Sequence, residues 1–140
     1  MNDMTKVSVL NKECDGYERL YTLQFLNSSD KIFAYGLDTE EYREGCDVTN
    51  SDEFIECSFE IEWVRDLTFS FGRDEYIKQP IHGSSHCECD LIIKKITDSD
   101  AFECFFENYG VISVELENDI ENLKVGMKVS FNGNLKVNFV

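Results

Sequence analysis

The chain has 140 residues, a length that suits one domain able to bury roughly 68% of its unfolded surface. Its 28 Asp and Glu residues outnumber 13 Lys and Arg, giving a net charge of -15 at pH 7. Phosphate backbones and anionic membranes repel such a charge, so it argues against nucleic-acid and membrane partners and favours a basic protein partner. Solubility alone is the alternative explanation of the acidity.

Alternating apolar and polar residues recur along the whole chain, whereas helical 3.6-residue stripes do not. Short strands with turn signals between them are typical of a small antiparallel barrel or sandwich. We therefore expect an all-β fold and a single β domain over residues 1–140. The predicted strands are 5–10, 19–26, 31–36, 54–64, 67–71, 90–97, 101–107, 111–117, 127–131 and 135–139.

The first residues lack a basic segment followed by an apolar one, and no apolar stretch is long enough to span a bilayer. The sequence therefore predicts a cytoplasmic protein, in which cysteines are normally reduced thiols. The six cysteines are Cys14, Cys46, Cys57, Cys87, Cys89 and Cys104.

The segment IECSFEIEW, residues 55–63, separates into two faces if it is extended. The inward positions are all apolar: Ile55, Cys57, Phe59, Ile61 and Trp63. The outward positions hold three glutamates and one serine: Glu56, Ser58, Glu60 and Glu62. Like charges at alternate strand positions repel one another, so this row costs the isolated fold some stability.

The acidic row continues a longer acidic segment, because residues 38–62 contain ten carboxylates and only one base, Arg43. Such an excess favours a surface that binds a basic partner, with tyrosine as a suitable aromatic anchor. The alternative is that outward lysines, Lys128 and Lys136 among them, neutralise the glutamates in the assembled sheet. The predicted partner-binding residues are Glu40, Glu41, Tyr42, Glu44, Asp47, Glu56, Glu60 and Glu62.

Two hairpins are predicted near the end of the chain. In the hairpin of residues 101–117, a loop of Asn108, Tyr109 and Gly110 opposes Phe102 to Leu116, Cys104 to Val114 and Phe106 to Ile112, with Glu103 opposite Glu115. In the hairpin of residues 127–139, a loop of Asn132, Gly133 and Asn134 opposes Met127 to Phe139, Val129 to Val137 and Phe131 to Leu135.

The segment LKVGMKVSFNGNLKV, residues 123–137, resembles a strand pair of OB-fold barrels through Gly126, Val129, Phe131 and Gly133. This resemblance implies a five-stranded Greek-key barrel that binds its partner on one face and its loops. OB-folds that bind nucleic acid are usually basic, and this chain is not.

Four candidate metal ligands lie close together in the sequence: His82, His86, Cys87 and Cys89. Imidazole and thiolate are zinc donors, but a second matched Cys pair is missing. Glu88 and Asp90 would raise the pKa of the neighbouring thiols, which disfavours a Cys–His nucleophile. With no phosphate-binding loop and no nucleophile elbow, the sequence predicts neither an enzyme nor a cofactor.

In general character (small, acidic and without catalytic motifs) the chain resembles bacterial immunity proteins. The expected function is therefore that of an inhibitor that masks the basic active surface of a toxin, for example a nuclease. The alternatives are a small-ligand or metal-binding barrel that uses the loop from His82 to Cys89, and a structural subunit whose acidity only maintains solubility.

Overall fold

The computed structural model describes residues 4–37 and 54–139, which form one mixed sheet of ten strands and confirm the all-β prediction. None of the described residues belongs to a helix of the length and apolarity needed to cross a membrane. The strands are β1 (Thr5–Asp15), β2 (Glu18–Phe25), β3 (Lys31–Leu37), β4 (Ile55–Ser70), β5 (Tyr76–Lys78), β6 (His86–Ile92), β7 (Lys95–Asp98), β8 (Ala101–Phe106), β9 (Gly110–Glu115) and β10 (Lys128–Phe139).

The sheet order is β5-β6-β10-β3-β2-β1-β4-β9-β8-β7, and β10 pairs with β4 as well. Strands β1 to β3 are consecutive antiparallel neighbours, and β4 lies antiparallel beside β1, which is a Greek-key order. Because β10 pairs with both β3 and β4, the pairings of these five strands form a closed circuit. The β10–β3 and β4–β9 pairs are parallel, so the sheet is not purely antiparallel.

The predicted hairpin of residues 127–139 is wrong, because these residues lie in one continuous strand, β10. Its odd-numbered side chains alternate without a break through Asn132, Gly133 and Asn134, and they face the core. Position 133 requires glycine for steric reasons, because a Cβ there would lie 2.5 Å from Cγ2 of Ile61. Partners along both edges, β4 on one and β6 and β3 on the other, keep the strand extended.

The predicted hairpin of residues 101–117 exists, but its register differs by two residues. Phe102 opposes Val114 and Cys104 opposes Ile112, with Glu107, Asn108 and Tyr109 as the turn. A shift of two keeps every side chain on its expected face, so the inward set is unchanged. Glu103 consequently faces Ser113 instead of Glu115.

Strand β4 joins the two predicted strands 54–64 and 67–71 through a pair of bulges. Its register against β10 shifts once between the pairs at Glu62 and Arg65 and again between those at Arg65 and Thr68. Each shift coincides with a non-glycine residue of left-handed backbone, Trp63 (φ 58°) and Asp66 (φ 57°). The first bulge turns Trp63 outward, so its inward assignment is wrong, and Val64 takes the buried place.

The inward faces of the strands share one apolar core, in which the largest fully buried side chains are Phe59 and Phe102. Four cysteines, Cys57, Cys87, Cys89 and Cys104, are free thiols within this core. Cys14 is instead disulfide-bonded, so the expectation that every cysteine is reduced is wrong for this residue.

Candidate partner-binding face

Three of the predicted partner-binding residues, Glu56, Glu60 and Glu62, lie on β4 and alternate with the buried residues of that strand. Glu115 of β9 lies on the same side of the sheet, next to Glu60. We call the side chains of these four glutamates the acidic face. The other predicted residues, Glu40, Glu41, Tyr42, Glu44 and Asp47, lie outside the residues that the structure describes.

The sheet assembles this face from four strands in one row. Lys136 of β10 pairs in register with Tyr35 on one side and with Glu60 on the other. Glu60 in turn pairs with Ser113 of β9. Since side chains of paired residues point the same way, the row brings a tyrosine and a lysine against the glutamates.

Glu62 is the best-satisfied carboxylate of the acidic face. The Tyr35 hydroxyl donates to its Oε2 at 2.5 Å, and Lys136 Nζ donates to its Oε1 at 3.2 Å. Burial alone would raise the pKa of Glu62, but these hydrogen bonds outweigh burial and hold the pKa below its usual range. Burial and the neighbouring carboxylate raise the pKa of Tyr35, so its hydroxyl stays a donor.

Glu60 has fewer stabilising contacts than Glu62. It accepts one hydrogen bond, from Asn138 Nδ2 to Oε1 at 3.0 Å. Burial raises its pKa above the usual range, and the charges of Glu62 and Glu115 add to that effect, although Lys136 opposes it. Within residues 4–37 and 54–139, Glu60 and Glu62 therefore share the ammonium group of Lys136 and Glu115 lies beside Glu60, so carboxylates outnumber ammonium groups here.

Glu56 is exposed and pairs in register with Lys6 of β1. It borders a cleft of about 460 Å³ that Met4, Phe25 and Asn108 also line. Its exposure among the described residues leaves it open to solvent, so it can meet a partner directly.

Neutralisation by lysines, the alternative raised by the sequence, is partly realised. Lys136 pairs with Glu62, and Lys95 lies in register with Glu103. Lys128, in contrast, forms its ion pair with Asp90 at 3.0 Å, at the far end of β10. It is therefore not available to the acidic face.

Sequence reasoning missed Tyr35, Lys136 as a direct ligand of Glu62, and the outward Trp63. Tyr35 and Lys136 carried a usable signal, because both occupy outward positions of their strands. Trp63 carried none, because strict alternation places it inward and only the bulge reverses it.

The candidate metal ligands do not converge. Cys87 and Cys89 point into the core, where the Cys89 thiol donates to Cys87 Sγ at 3.6 Å and the Cys87 thiol donates to the Gly133 carbonyl at 3.4 Å. The hydrogen bond to Cys87, together with burial, raises the pKa of Cys89. His82 is exposed, with its ring edge-on to Phe33. Across the described ranges, no group of three or more His, Cys, Asp or Glu side chains is placed to hold a metal ion.

Comparison with known proteins adds no relative to this description. No protein-family profile, curated protein or solved structure matches the chain.

Proposed function

We propose that the protein is an acidic binding protein that masks a basic protein partner, most concretely an immunity or inhibitor protein that neutralises a bacterial nuclease toxin. The observation that supports it best is the crowding of carboxylates on the acidic face, where Glu60 and Glu62 share the one ammonium group of Lys136 and Glu115 lies beside Glu60. A fold that keeps such a group gains when a cation approaches, because the cation supplies the missing neutralisation.

In this proposal the glutamates act in two stages. The net charge of -15 draws the basic partner in, which speeds association at low salt. Close pairs then form between Lys or Arg of the partner and Glu56, Glu60 and Glu62. The predicted acidic residues Glu40, Glu41, Glu44 and Asp47, with Tyr42, belong to the same proposed surface.

The proposal includes an OB-like fold and a cytoplasmic setting. The Greek-key order of β1 to β4 and the five-strand circuit closed by β10 support the OB-like fold. Strands β5 to β9, inserted between the last two strands of that circuit, would be an addition to it. Four free thiols support a reducing compartment, whereas the disulfide of Cys14 argues against it, and thiol counting by mass spectrometry of protein from the native host decides.

The test begins with capture of the tagged protein from its own host at moderate salt, followed by identification of any stoichiometric partner. Association is then measured by stopped flow over a range of salt concentrations. A variant combining Glu56→Gln, Glu60→Gln and Glu62→Gln should associate about tenfold more slowly and with a weaker salt dependence.

The matched control removes three negative charges elsewhere, through Glu13→Gln, Glu18→Gln and Glu107→Gln, all at exposed positions. It should associate nearly as fast as the native protein. Equal association rates for the two triple variants would contradict the proposed surface, and a partner that is not basic would contradict the proposed function.

A further inference from the structure

Trp63 combines two features that a fold alone does not favour. Its backbone is left-handed, with φ of 58°, a conformation that is an outlier for a bulky side chain. Its side chain is also 59% exposed, although it is the single tryptophan of the chain. Strained residues that persist in a fold are concentrated at functional sites, where the strain aims a side chain.

The surroundings fix where the indole lies. Glu62 precedes it in β4 and binds Tyr35 and Lys136, so the acidic face begins at the residue immediately before Trp63. The indole also lies close enough to the Tyr35 hydroxyl to oppose, slightly, the rise in the pKa of Tyr35. Opposite the bulge lies Gly133, where a Cβ would come within 3.0 Å of the Glu62 carbonyl. The bulge thus depends on a glycine in the facing strand.

Tyrosine, tryptophan and arginine are the residues most enriched at interface hot spots, and all three occur together here. Arg65 follows two residues after Trp63 and is exposed. An exposed indole beside carboxylates suits a guanidinium group, which stacks on an aromatic face and also binds a carboxylate through its planar fork. An ammonium group can meet the charge but cannot form the forked contact.

We propose that Trp63 is the anchor of the acidic face and receives an arginine side chain of the basic partner, with the guanidinium between the indole and the carboxylate of Glu60. This inference rests on the proposed function. It adds that the glutamates set the rate of association with the partner, whereas Trp63 sets the rate of dissociation.

The experiment uses the full-length protein and two blocked peptides, hexa-arginine and hexa-lysine, at low salt. Binding to the native protein is followed by the fluorescence of Trp63, and binding to every variant by calorimetry. We expect the arginine peptide to bind about fivefold more tightly than the lysine peptide and to change the fluorescence. Trp63→Ala should abolish this preference, and Trp63→Phe should keep part of it.

A second variant, Trp63→Gly, separates binding from folding. Glycine adopts the left-handed backbone without strain, so this variant should fold with unchanged or raised stability while losing the arginine preference. A marked loss of stability would show that Trp63 serves the fold, and would overturn the inference.

The remaining outcomes distinguish the two proposals. One outcome is that both peptides bind with equal affinity, that Trp63→Ala leaves this affinity unchanged and that the triple glutamate variant lowers it. The anchor is then overturned and the proposed function stands. If neither peptide binds, the anchor is overturned, and the proposed function is decided by the host capture. The native partner gives a final check, since Trp63→Ala should raise its dissociation rate and leave the salt dependence of association unchanged.

Discussion

Strand β10 carries two lysines eight residues apart on the same side of the strand, and each meets a carboxylate in a different setting. At one end, Lys128 pairs with Asp90 at 3.0 Å, and the two side chains are only 8% and 13% exposed. At the other end, Lys136 pairs with Glu62 at 3.2 Å, with exposures of 19% and 22%. Both are pairs of a lysine with a carboxylate, but they differ in exposure. We call the nearly buried Lys128–Asp90 pair the closed pair and the more exposed Lys136–Glu62 pair the open pair.

The closed pair is also balanced. Asp90 accepts hydrogen bonds from the hydroxyls of Ser70 and Ser130 at 2.7 and 2.9 Å, and Lys128 donates to the Phe71 carbonyl at 3.1 Å. Burial alone would raise the pKa of Asp90, but these hydrogen bonds outweigh it and lower the pKa. Such a pair has no capacity left for a partner, so it serves the fold.

The open pair is unbalanced, because Glu60 and Glu115 add carboxylates that Lys136 cannot neutralise. The difference between the two pairs indicates that excess charge at the surface, rather than an ion pair as such, marks the face where a partner is expected. It also predicts that mutations at the two ends differ in kind, with stability lost at one end and binding lost at the other.

The largest expected effect is at the closed end. Lys128→Met leaves the Asp90 carboxylate buried without its counter-ion and should lower the free energy of unfolding by about 3 kcal/mol. Lys136→Met removes a pair that is partly exposed to solvent and should cost less than about 1 kcal/mol. Urea unfolding of both variants measures the difference.

Adding Asp90→Asn to Lys128→Met is the control for this prediction. It removes the uncompensated charge and should restore part of the lost stability. Equal destabilisation by the two lysine substitutions would abolish the distinction between a closed and an open end.

The second largest effect is expected between the two ends of β10, where the Trp63 bulge of β4 lies against Gly133. Gly133→Ala would place a Cβ 2.5 Å from Cγ2 of Ile61, and neither the buried Ile61 nor the Glu62 backbone can move far. We expect a loss of about 2 kcal/mol in the free energy of unfolding. A contradictory outcome would be a loss no greater than that of Gly36→Ala, a glycine without a left-handed backbone, where the atom nearest to a Cβ is a ring carbon of Tyr21 at 3.0 Å.

Gly133 also shows how far the sequence alone could lead. The alternation of apolar and polar residues correctly predicts which residues face the core in β4 up to Ile61 and throughout the β8–β9 hairpin. It is blind to a register change of two, which moves no side chain to the other face. For β10 the alternation runs unbroken through Gly133, yet the Asn-Gly-Asn turn signal prompted a hairpin there. Turn propensity is local, whereas a strand paired on both edges is a tertiary outcome.

The candidate site divides in the same way. The outward glutamates follow from alternation, and so do Tyr35 and Lys136 once their strands are known to be neighbours. That neighbourhood depends on the parallel β10–β3 pairing, which joins residues about 100 positions apart and leaves no local trace. The bulge at Trp63 is equally invisible, because its left-handed backbone is imposed by pairing with β10 and not by residue type.

The smallest effects should distinguish two neighbouring glutamates at the open end. At pH 7, Glu60→Gln should leave stability unchanged or slightly raised, because the raised pKa of Glu60 means that folding penalises its charged form. Glu62→Gln should lower stability by less than about 1 kcal/mol, because the lowered pKa of Glu62 means that folding favours its charge.

The pH dependence gives the order in which these differences vanish. As the pH falls, Glu60 protonates first, so the Glu60→Gln difference begins to shrink at its raised folded pKa and is gone below the usual glutamate pKa. The contribution of Glu62 is present above the usual glutamate pKa and is lost only as the pH falls through its lower folded pKa, so the Glu62→Gln difference disappears last. Urea unfolding between pH 7 and pH 3 measures both. The reverse order would mean that the excess charge resides on Glu62, and a cationic partner would then be expected to pair there instead of at Glu60.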